Sequence, residues 1–269
     1  MTRPISFLSD YGYDDEFAGV CRGVIAGIAP DATVIDVTHG IERGDVRAGA
    51  LALARSLPFM PAGVHLAVVD PGVGGDRRPV AIEVRDEGRI LVGPDNGLLV
   101  PAIERFGGAA AAVDIALSQA RLEPVSATFH GRDLFAPVAA RLALGDELSS
   151  LGEEIDIPSL ATLELPRPEI GADAIVAHAL GVDRFGNVEL NVSHEQLTGS
   201  PLRLGDPLTI EVASGPVPAV FARTFEEVAE GALLLYEDSS RMLSLAVNRG
   251  SAARLLALDV DGAVTLRPA

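Results

Sequence analysis

An N-terminal α/β domain followed by a small all-β barrel is the architecture this sequence predicts. Three observations predict it. In the first half, apolar strand-like runs alternate with segments of helical period, the pattern of a mostly parallel sheet with helices on both faces. Beyond about residue 150 the helices stop, and short β-like runs separated by turns take over. Between the two lies a stretch, residues 155–173, that carries Pro158, Pro166 and Pro168 and reads as a linker or sheet-edge excursion. A chain of 269 residues is long enough for two such domains. We place them at residues 1–160 and 170–269.

Each element follows from its own pattern. Residues 5–10 form a buried strand with a polar tip, ending at Asp10. Gly12 and the acidic cluster Asp14-Asp15-Glu16 lead into residues 17–28 at helical spacing, and acidic side chains suit the positive end of a helix dipole. Residues 33–37 are a second strand, 45–56 an Ala/Leu-rich helix stopped near Pro58, and 64–69 a third strand, continuous in Val, Leu and Ala. Residues 80–84 and 90–92 are short strands, and 98–106 and 136–144 are helical. The four alanines 109–112 are too short a run to assign. In the second half the β-like runs are 174–182, 187–192, 207–212, 232–236, 243–247 and 255–258, with a single helical turn at 225–230.

Composition excludes several chemistries. All 21 basic residues are arginine, so there is no phosphate-loop lysine, no lysine Schiff base and no pyridoxal-phosphate linkage. A lone cysteine, Cys21, excludes internal disulfides and multi-cysteine zinc sites. The five histidines, at 39, 65, 130, 178 and 194, show no i,i+4 pair, and G-x-S-x-G is absent. A net charge of −17 argues against a nucleic-acid partner and suits a cationic small molecule. The longest charge-free run, 56–69, contains two prolines and falls short of the ~20 apolar residues of a membrane helix. With no basic-then-apolar leader in view, the expected location is the cytoplasm.

Ligands of open α/β sheets bind beyond the C-terminal ends of the strands. The polar residues of the first half cluster at such positions: Asp10; His39; Asp70; Asp95 and Asn96; and His130 with Arg132 and Asp133. Any one of these is an ordinary turn or cap; five together are more than surface decoration requires. The segment 70–78 holds Gly72, Gly74 and Gly75, which allow close backbone approach, while Pro71 stiffens the chain after Asp70. It reads as a loop that closes over a small ligand. His65 and His178 sit inside apolar strands as core or edge residues, and His194 lies at a turn. In the second half Asp183 and Asn187 bracket a hairpin-like turn, where turn chemistry and ligand contact are both open. Two further polar loops, Ser239-Ser240-Arg241 and Asn248-Arg249-Gly250-Ser251, flank the strand 243–247.

Six motifs, in order along the chain, carry a family resemblance: Ser9-Asp10-Tyr11-Gly12 with Asp15; Val69-Asp70-Pro71-Gly72-Val73-Gly74; Gly93-Pro94-Asp95-Asn96-Gly97; Phe129-His130-Gly131-Arg132-Asp133; Asp183-Arg184-Phe185-Gly186-Asn187; and Asn248-Arg249-Gly250-Ser251-Ala252. Together they resemble the S-adenosylmethionine (SAM) hydroxide adenosyltransferases, the SAM hydrolases related to the SAM-dependent fluorinase and chlorinase. The resemblance implies attack of water or hydroxide on C5′ of SAM, releasing adenosine and L-methionine, with SAM as substrate and no cofactor or metal. It implies a homotrimer in which the ligand lies between the α/β domain of one subunit and the barrel of its neighbour. It implies that Asp70, Arg77 and His130 hold the attacking water, with Arg78 adjacent to Arg77 and the identity of the base open between Asp70 and His130. By the same resemblance Asp10 holds the ribose hydroxyls, Asp15 and Asp183 face the methionine amino group, and Asn187 and the backbone near Arg249 read adenine. Ser239 meets the methionine carboxylate, Asn96 belongs to the substrate-binding set, and Arg241 is displaced one step from the arginine of the halogenases. Three rival readings are a chloride-using halogenase, a non-catalytic SAM or adenosine binder, and a metal-dependent hydrolase built on Asp10, Asp14, Asp15 and Asp95.

Overall fold

In the computed structural model, which describes residues 2–269, the chain forms two units, residues 2–163 and Glu164–Ala269. The first contains β1 (Ile5–Ser9), α1 (Phe17–Ile28), β2 (Val34–Thr38), α2 (Val46–Ser56), β3 (Val64–Val68), β4 (Pro79–Val84), β5 (Ile90–Pro94), α3 (Val100–Arg105), β6 (Ala109–Asp114), α4 (Ala136–Leu144) and β7 (Glu153–Glu154). Its seven strands form one sheet in the order β2-β1-β3-β5-β4-β6-β7. The alternation of side chains along each strand sorts them to two faces. Ile5, Phe7, Val64, Leu66 and Val68 pack with α1 and α4 on one side. Leu8, Ala67, Val69 and Leu91 pack with α2 and α3 on the other. Both faces of the central strands are thus covered, which is why β1 and β3 read as unbroken buried runs.

The sheet is mixed rather than uniformly parallel. β2, β1, β3 and β5 pair parallel, whereas β4 pairs antiparallel with both β5 and β6, and β7 antiparallel with β6. The reason is chain length: only residues 85–89 join β4 to β5, a tight turn with Glu87 and Gly88 at positive φ, and a parallel neighbour needs a crossover of a dozen residues. The alanine run left unassigned above is β6. Alanine has little strand preference of its own, and pairing with β4 and burial of Ala109 and Ala112 decide its conformation.

The second unit contains β8 (Glu169–Ile170), β9 (Ile175–Val182), β10 (Val188–Ser193), β11 (Pro207–Val212), β12 (Gly215–Phe221), β13 (Leu233–Glu237), β14 (Met242–Val247), α5 (Ala252–Leu256) and β15 (Ala263–Pro268). The order β10-β14-β13-β12-β11-β15-β9 closes through a β9–β10 pairing into a seven-stranded barrel, with β8 added on β9. Alternate residues such as Ile175, Ala177, Ala179, Leu208, Ile210, Leu243 and Leu245 fill its interior. Residues 255–258, expected as a strand, instead form the end of α5 (Leu255 and Leu256) and the turn after it, and the first turn of α5 is capped by Ser251 Oγ accepting from the Arg254 N–H at 3.2 Å. β12 escapes a sequence reading because it carries Pro216 and Pro218. Both precede the residues, Ala219 to Phe221, that pair with β13, so they remove no donor from that ladder. Among the described residues no helix is long and apolar enough to cross a membrane.

Candidate active site

Three side chains from two segments of the chain meet at the C-terminal end of β3. Asp70 follows that strand, Arg77 stands seven residues on at the far side of the glycine loop, and His130 precedes the wide helical turn Gly131–Phe135 that opens α4. Arg77 Nε donates to Asp70 Oδ1 at 2.8 Å, and Arg77 Nη2 contacts both Asp70 Oδ2 and His130 Nδ1, the latter at 2.9 Å. Only 9% of the Arg77 side chain and 5% of Asp70 is exposed, so the pair is largely shielded from solvent. The guanidinium also lies 5.4 Å from the centroid of the Phe135 ring.

The glycines explain how the loop reaches His130. Gly74 has φ +76°, and a Cβ there would stand 2.3 Å from the Ala127 carbonyl oxygen. Only glycine lets the loop lie on the chain that leads to His130. Gly131 is equally constrained, because a Cβ there would stand 2.0 Å from the Tyr11 hydroxyl. Tyr11 packs edge-on against Phe7 and Phe129, and burial drives its phenol well above the usual range.

Hydrogen-bond chemistry fixes the protonation of His130. A guanidinium only donates, so His130 Nδ1 must accept, and the proton of the neutral ring sits on Nε2. Burial, reinforced by the Arg77 charge, holds the His130 pKa below the ordinary imidazole value. The ring is therefore neutral at pH 7, with its Nε2–H not engaged by Arg77.

The adjacent arginines serve different partners. Arg78 Nε and Nη2 donate to Asp95 Oδ2 at 3.1 and 2.6 Å, and its other contacts are to Ser159. The choice between Arg77 and Arg78 is thus made by which carboxylate each faces. Asp10, at the tip of β1, accepts from the Gly44 N–H at 2.8 Å. Burial raises its pKa, with the negative charge of Asp70 adding to the effect. Behind it, Ser9 Oγ lies 2.7 Å from His39 Nδ1, and Gly12 N–H donates to the His39 carbonyl, so the β2–α2 connection braces the Asp10 loop. Asp15 lies on the exposed stretch before α1. Asn96 engages backbone at each end of its amide: Nδ2 donates to the Val69 carbonyl at 2.9 Å, and Oδ1 accepts from the Leu98 N–H at 3.2 Å. Among the described residues, no group of three or more His, Cys, Asp and Glu side chains is arranged to hold a metal ion. His65 is buried in β3, between Ser6 Oγ and Arg89 Nη1, and burial lowers its pKa to about 3. Cys21 is buried in α1 with its thiol pushed up to about 12, which keeps it protonated at neutral pH.

In the second unit, Asp183, Asn187 and Arg249 line one cavity of about 860 Å³, together with Phe185, Phe225 and Ser251. The turn chemistry considered for Asp183 is present in full. Its Oδ1 accepts from the N–H groups of Phe185 and Asn187, and its Oδ2 from Asn187 Nδ2 at 2.8 Å. Gly186, at φ +85°, lies against Ser251, where a Cβ would come within 2.2 Å of the Ser251 hydroxyl. The hairpin is thereby seated on the loop that carries Arg249. Arg249 itself has φ +60°, and its exposed guanidinium lies 3.1 Å from Glu230. Ser239 is exposed in the turn after β13 and is not among the cavity-lining residues; Arg241, at φ +63°, approaches Glu237 at 3.6 Å.

Comparison with known proteins places the chain in a family. A protein of Salinispora tropica named (R)-S-adenosyl-L-methionine hydrolase is 49% identical over 254 residues, covering 94% of this chain and 93% of its own length. A protein of Nocardia brasiliensis named fluorinase is 29% identical, covering 93% and 92% of the two chains. The crystal structure of a Thermotoga maritima protein described as uncharacterized and conserved superposes with a TM-score of 0.91 at 34% identity, covering 98% of this chain and 99% of that one. Residues 5–152 match the SAM hydroxide adenosyltransferase N-terminal domain and residues 177–265 its C-terminal domain. With both domain types matched in order along nearly its whole length, this chain belongs to the SAM hydroxide adenosyltransferase family.

Proposed function

We propose that this chain hydrolyses (R)-S-adenosyl-L-methionine, water attacking C5′ in line with the C5′–S bond to give adenosine and L-methionine. The observation that carries the reading is the bridge that Arg77 makes between Asp70 and His130. The sulfonium leaves as a neutral thioether, taking the C5′–S electron pair, so no general acid is needed for methionine. The enzyme's task is to position one water and to accept its proton, and positioning supplies several kcal/mol of barrier lowering. His130 has its Nδ1 lone pair engaged by Arg77 and its proton on Nε2, so it donates to the water oxygen and orients it. Asp70 retains free lone pairs on its carboxylate and takes the proton as the C5′–O bond forms. Arg77 holds both partners and stabilises the hydroxide-like charge on the attacking oxygen. The proton passes from Asp70 to solvent, so each turnover releases one.

In this reading Asp10 holds the ribose hydroxyls, Asp15 and Asp183 meet the methionine amine, Asn187 and the Arg249 backbone read adenine, and Ser239 meets the carboxylate. The assembly is a homotrimer whose sites join the first unit of one subunit to the second unit of the next. The reaction as written needs no metal or redox cofactor. Incubating the protein with the R and S sulfonium epimers in separate reactions with chelator, then resolving products by chromatography, tests it. Adenosine and methionine in equal amounts, formed faster from the R epimer, is the expected result. Tight binding without turnover would replace it with a non-catalytic binder. Similarity to a fluorinase favours a second reading, halide as nucleophile. Halide-dependent 5′-haloadenosine in the same assay would establish that instead.

A further inference from the structure

The Asp70 and Arg77 side chains must be held in register across a loop containing Gly72, Gly74 and Gly75, a composition that by itself leaves the backbone free. The turns inside the loop, Val73 N–H to the Asp70 carbonyl and Gly75 N–H to the Gly72 carbonyl, shape it but do not anchor its ends. Both ends are held from outside by two consecutive residues. At the entrance, Asn96 Nδ2 donates to the carbonyl of Val69, the residue before Asp70. At the exit, Asp95 N–H donates to the carbonyl of Arg78, the residue after Arg77, at 2.8 Å, and the Asp95 carboxylate grips the Arg78 guanidinium. The holding pair is itself fixed. Asp95 Oδ1 accepts from the Ala161 N–H at 2.8 Å, Asn96 Oδ1 accepts from the Leu98 N–H, and the two residues follow directly on β5.

From this geometry we infer that Asp95 and Asn96 are positioning residues, a clamp that fixes the distance between Asp70 and Arg77 and through Arg77 the ring of His130. Asn96 thereby acts on the catalytic loop rather than on the substrate. The inference rests on the hydrolase reading for its kinetic consequence, but its geometric content stands apart from it. Releasing the Val69 carbonyl lets the Asp70 end drift, and releasing Arg78 lets the Arg77 end drift. In either case the Arg77–His130 contact loosens, and the ring loses the cation that opposes its protonation.

The test uses the full chain with Asn96→Ala, Asp95→Ala and the conservative Asp95→Glu. Two readouts are independent of each other. In steady-state kinetics with (R)-SAM, Asn96→Ala and Asp95→Ala should lower kcat on the order of 10–100-fold with KM changed far less, and Asp95→Glu should recover part of the loss. In an NMR titration of the His130 ring, both alanine variants should move its pKa upward toward the ordinary imidazole value. That readout needs no turnover, so it reports on the clamp even if the wild-type chain proves not to hydrolyse SAM. Circular dichroism and thermal melts check that the variants are folded. A variant that fails to fold leaves the other position and Asp95→Glu to decide. A raised KM with unchanged kcat for Asn96→Ala would make Asn96 a substrate contact and overturn the inference. An unmoved His130 titration in both alanine variants would overturn it equally.

Discussion

Arg77 donates to a carboxylate and to an imidazole at once, and that single fact orders the chemistry around it. In the proposed reaction it leaves Asp70 as the proton acceptor and His130 as a neutral donor. Asp70→Asn removes the acceptor while keeping the shape, so kcat should fall about 10²–10⁴-fold with SAM affinity changed only slightly, measured by single turnover against equilibrium binding. His130→Ala should also lower kcat more than binding. The pH dependence has a defined sign. Protonating His130 places a hydrogen on Nδ1 against the Arg77 donor, so activity is lost as pH falls through a pKa that burial and Arg77 hold below the ordinary imidazole value. The acid limb of kcat should therefore lie below about 6.5 in the wild type. A limb at or above that value would contradict the neutral, Arg77-bound ring.

The glycine loop and the strand beneath it carry separate expectations. Gly74 combines positive φ with a Cβ position 2.3 Å from the Ala127 carbonyl oxygen, whereas Gly88, in the β4–β5 turn, has φ +59° but open space around it. Gly88→Ala incurs only left-handed strain, about 1–2 kcal/mol. Gly74→Ala adds a backbone clash that moves the loop. Melting curves and kcat should show both variants destabilised but only Gly74→Ala impaired in turnover. In β3, His65 is held neutral between Ser6 and Arg89, with burial lowering its pKa to about 3. The unfolded chain binds this proton below about 6.5 and the folded chain does not, so stability decreases as pH falls through that interval. His65→Gln should flatten that part of a denaturation-versus-pH series, at some cost in stability at pH 7.

Across the whole chain, the linked side chains of Asp70, Arg77 and His130 lie in the first unit and the cavity lined by Asp183, Asn187 and Arg249 in the second. If each site joins units of neighbouring subunits, Asp70→Asn and Asn187→Ala are complementary defects. Each alone should be inactive or nearly so. A mixture unfolded and refolded together should regain activity, because some sites then draw an intact first unit from one chain and an intact second unit from another. No recovery, with light scattering reporting a monomer, would remove the shared-site assembly.

Sequence alone determined the elements whose patterns are self-contained. The runs behind β1 and β3 are apolar whatever surrounds them, helical spacing in residues 17–28 needs no partner, and the polar tips fall where strand direction puts them. Asp70, Arg77 and His130 were grouped by the family resemblance, and the structure brings the three side chains together. Tertiary structure decided what depends on a neighbour. β6 is a strand because β4 pairs with its alanines, and residues 252–256, whose Ala, Leu and Arg favour a helix, start one under the Ser251 cap, so the strand expected at 255–258 does not form. Arg77 and Arg78 are adjacent and chemically identical, so only the positions of Asp70 and Asp95 in space could tell them apart. Asn96 is a polar residue at a strand end, a position with no target legible in the sequence. Its target is the Val69 carbonyl, 27 positions earlier in the chain, and pairings at that separation are set by packing of the sheet rather than by local pattern.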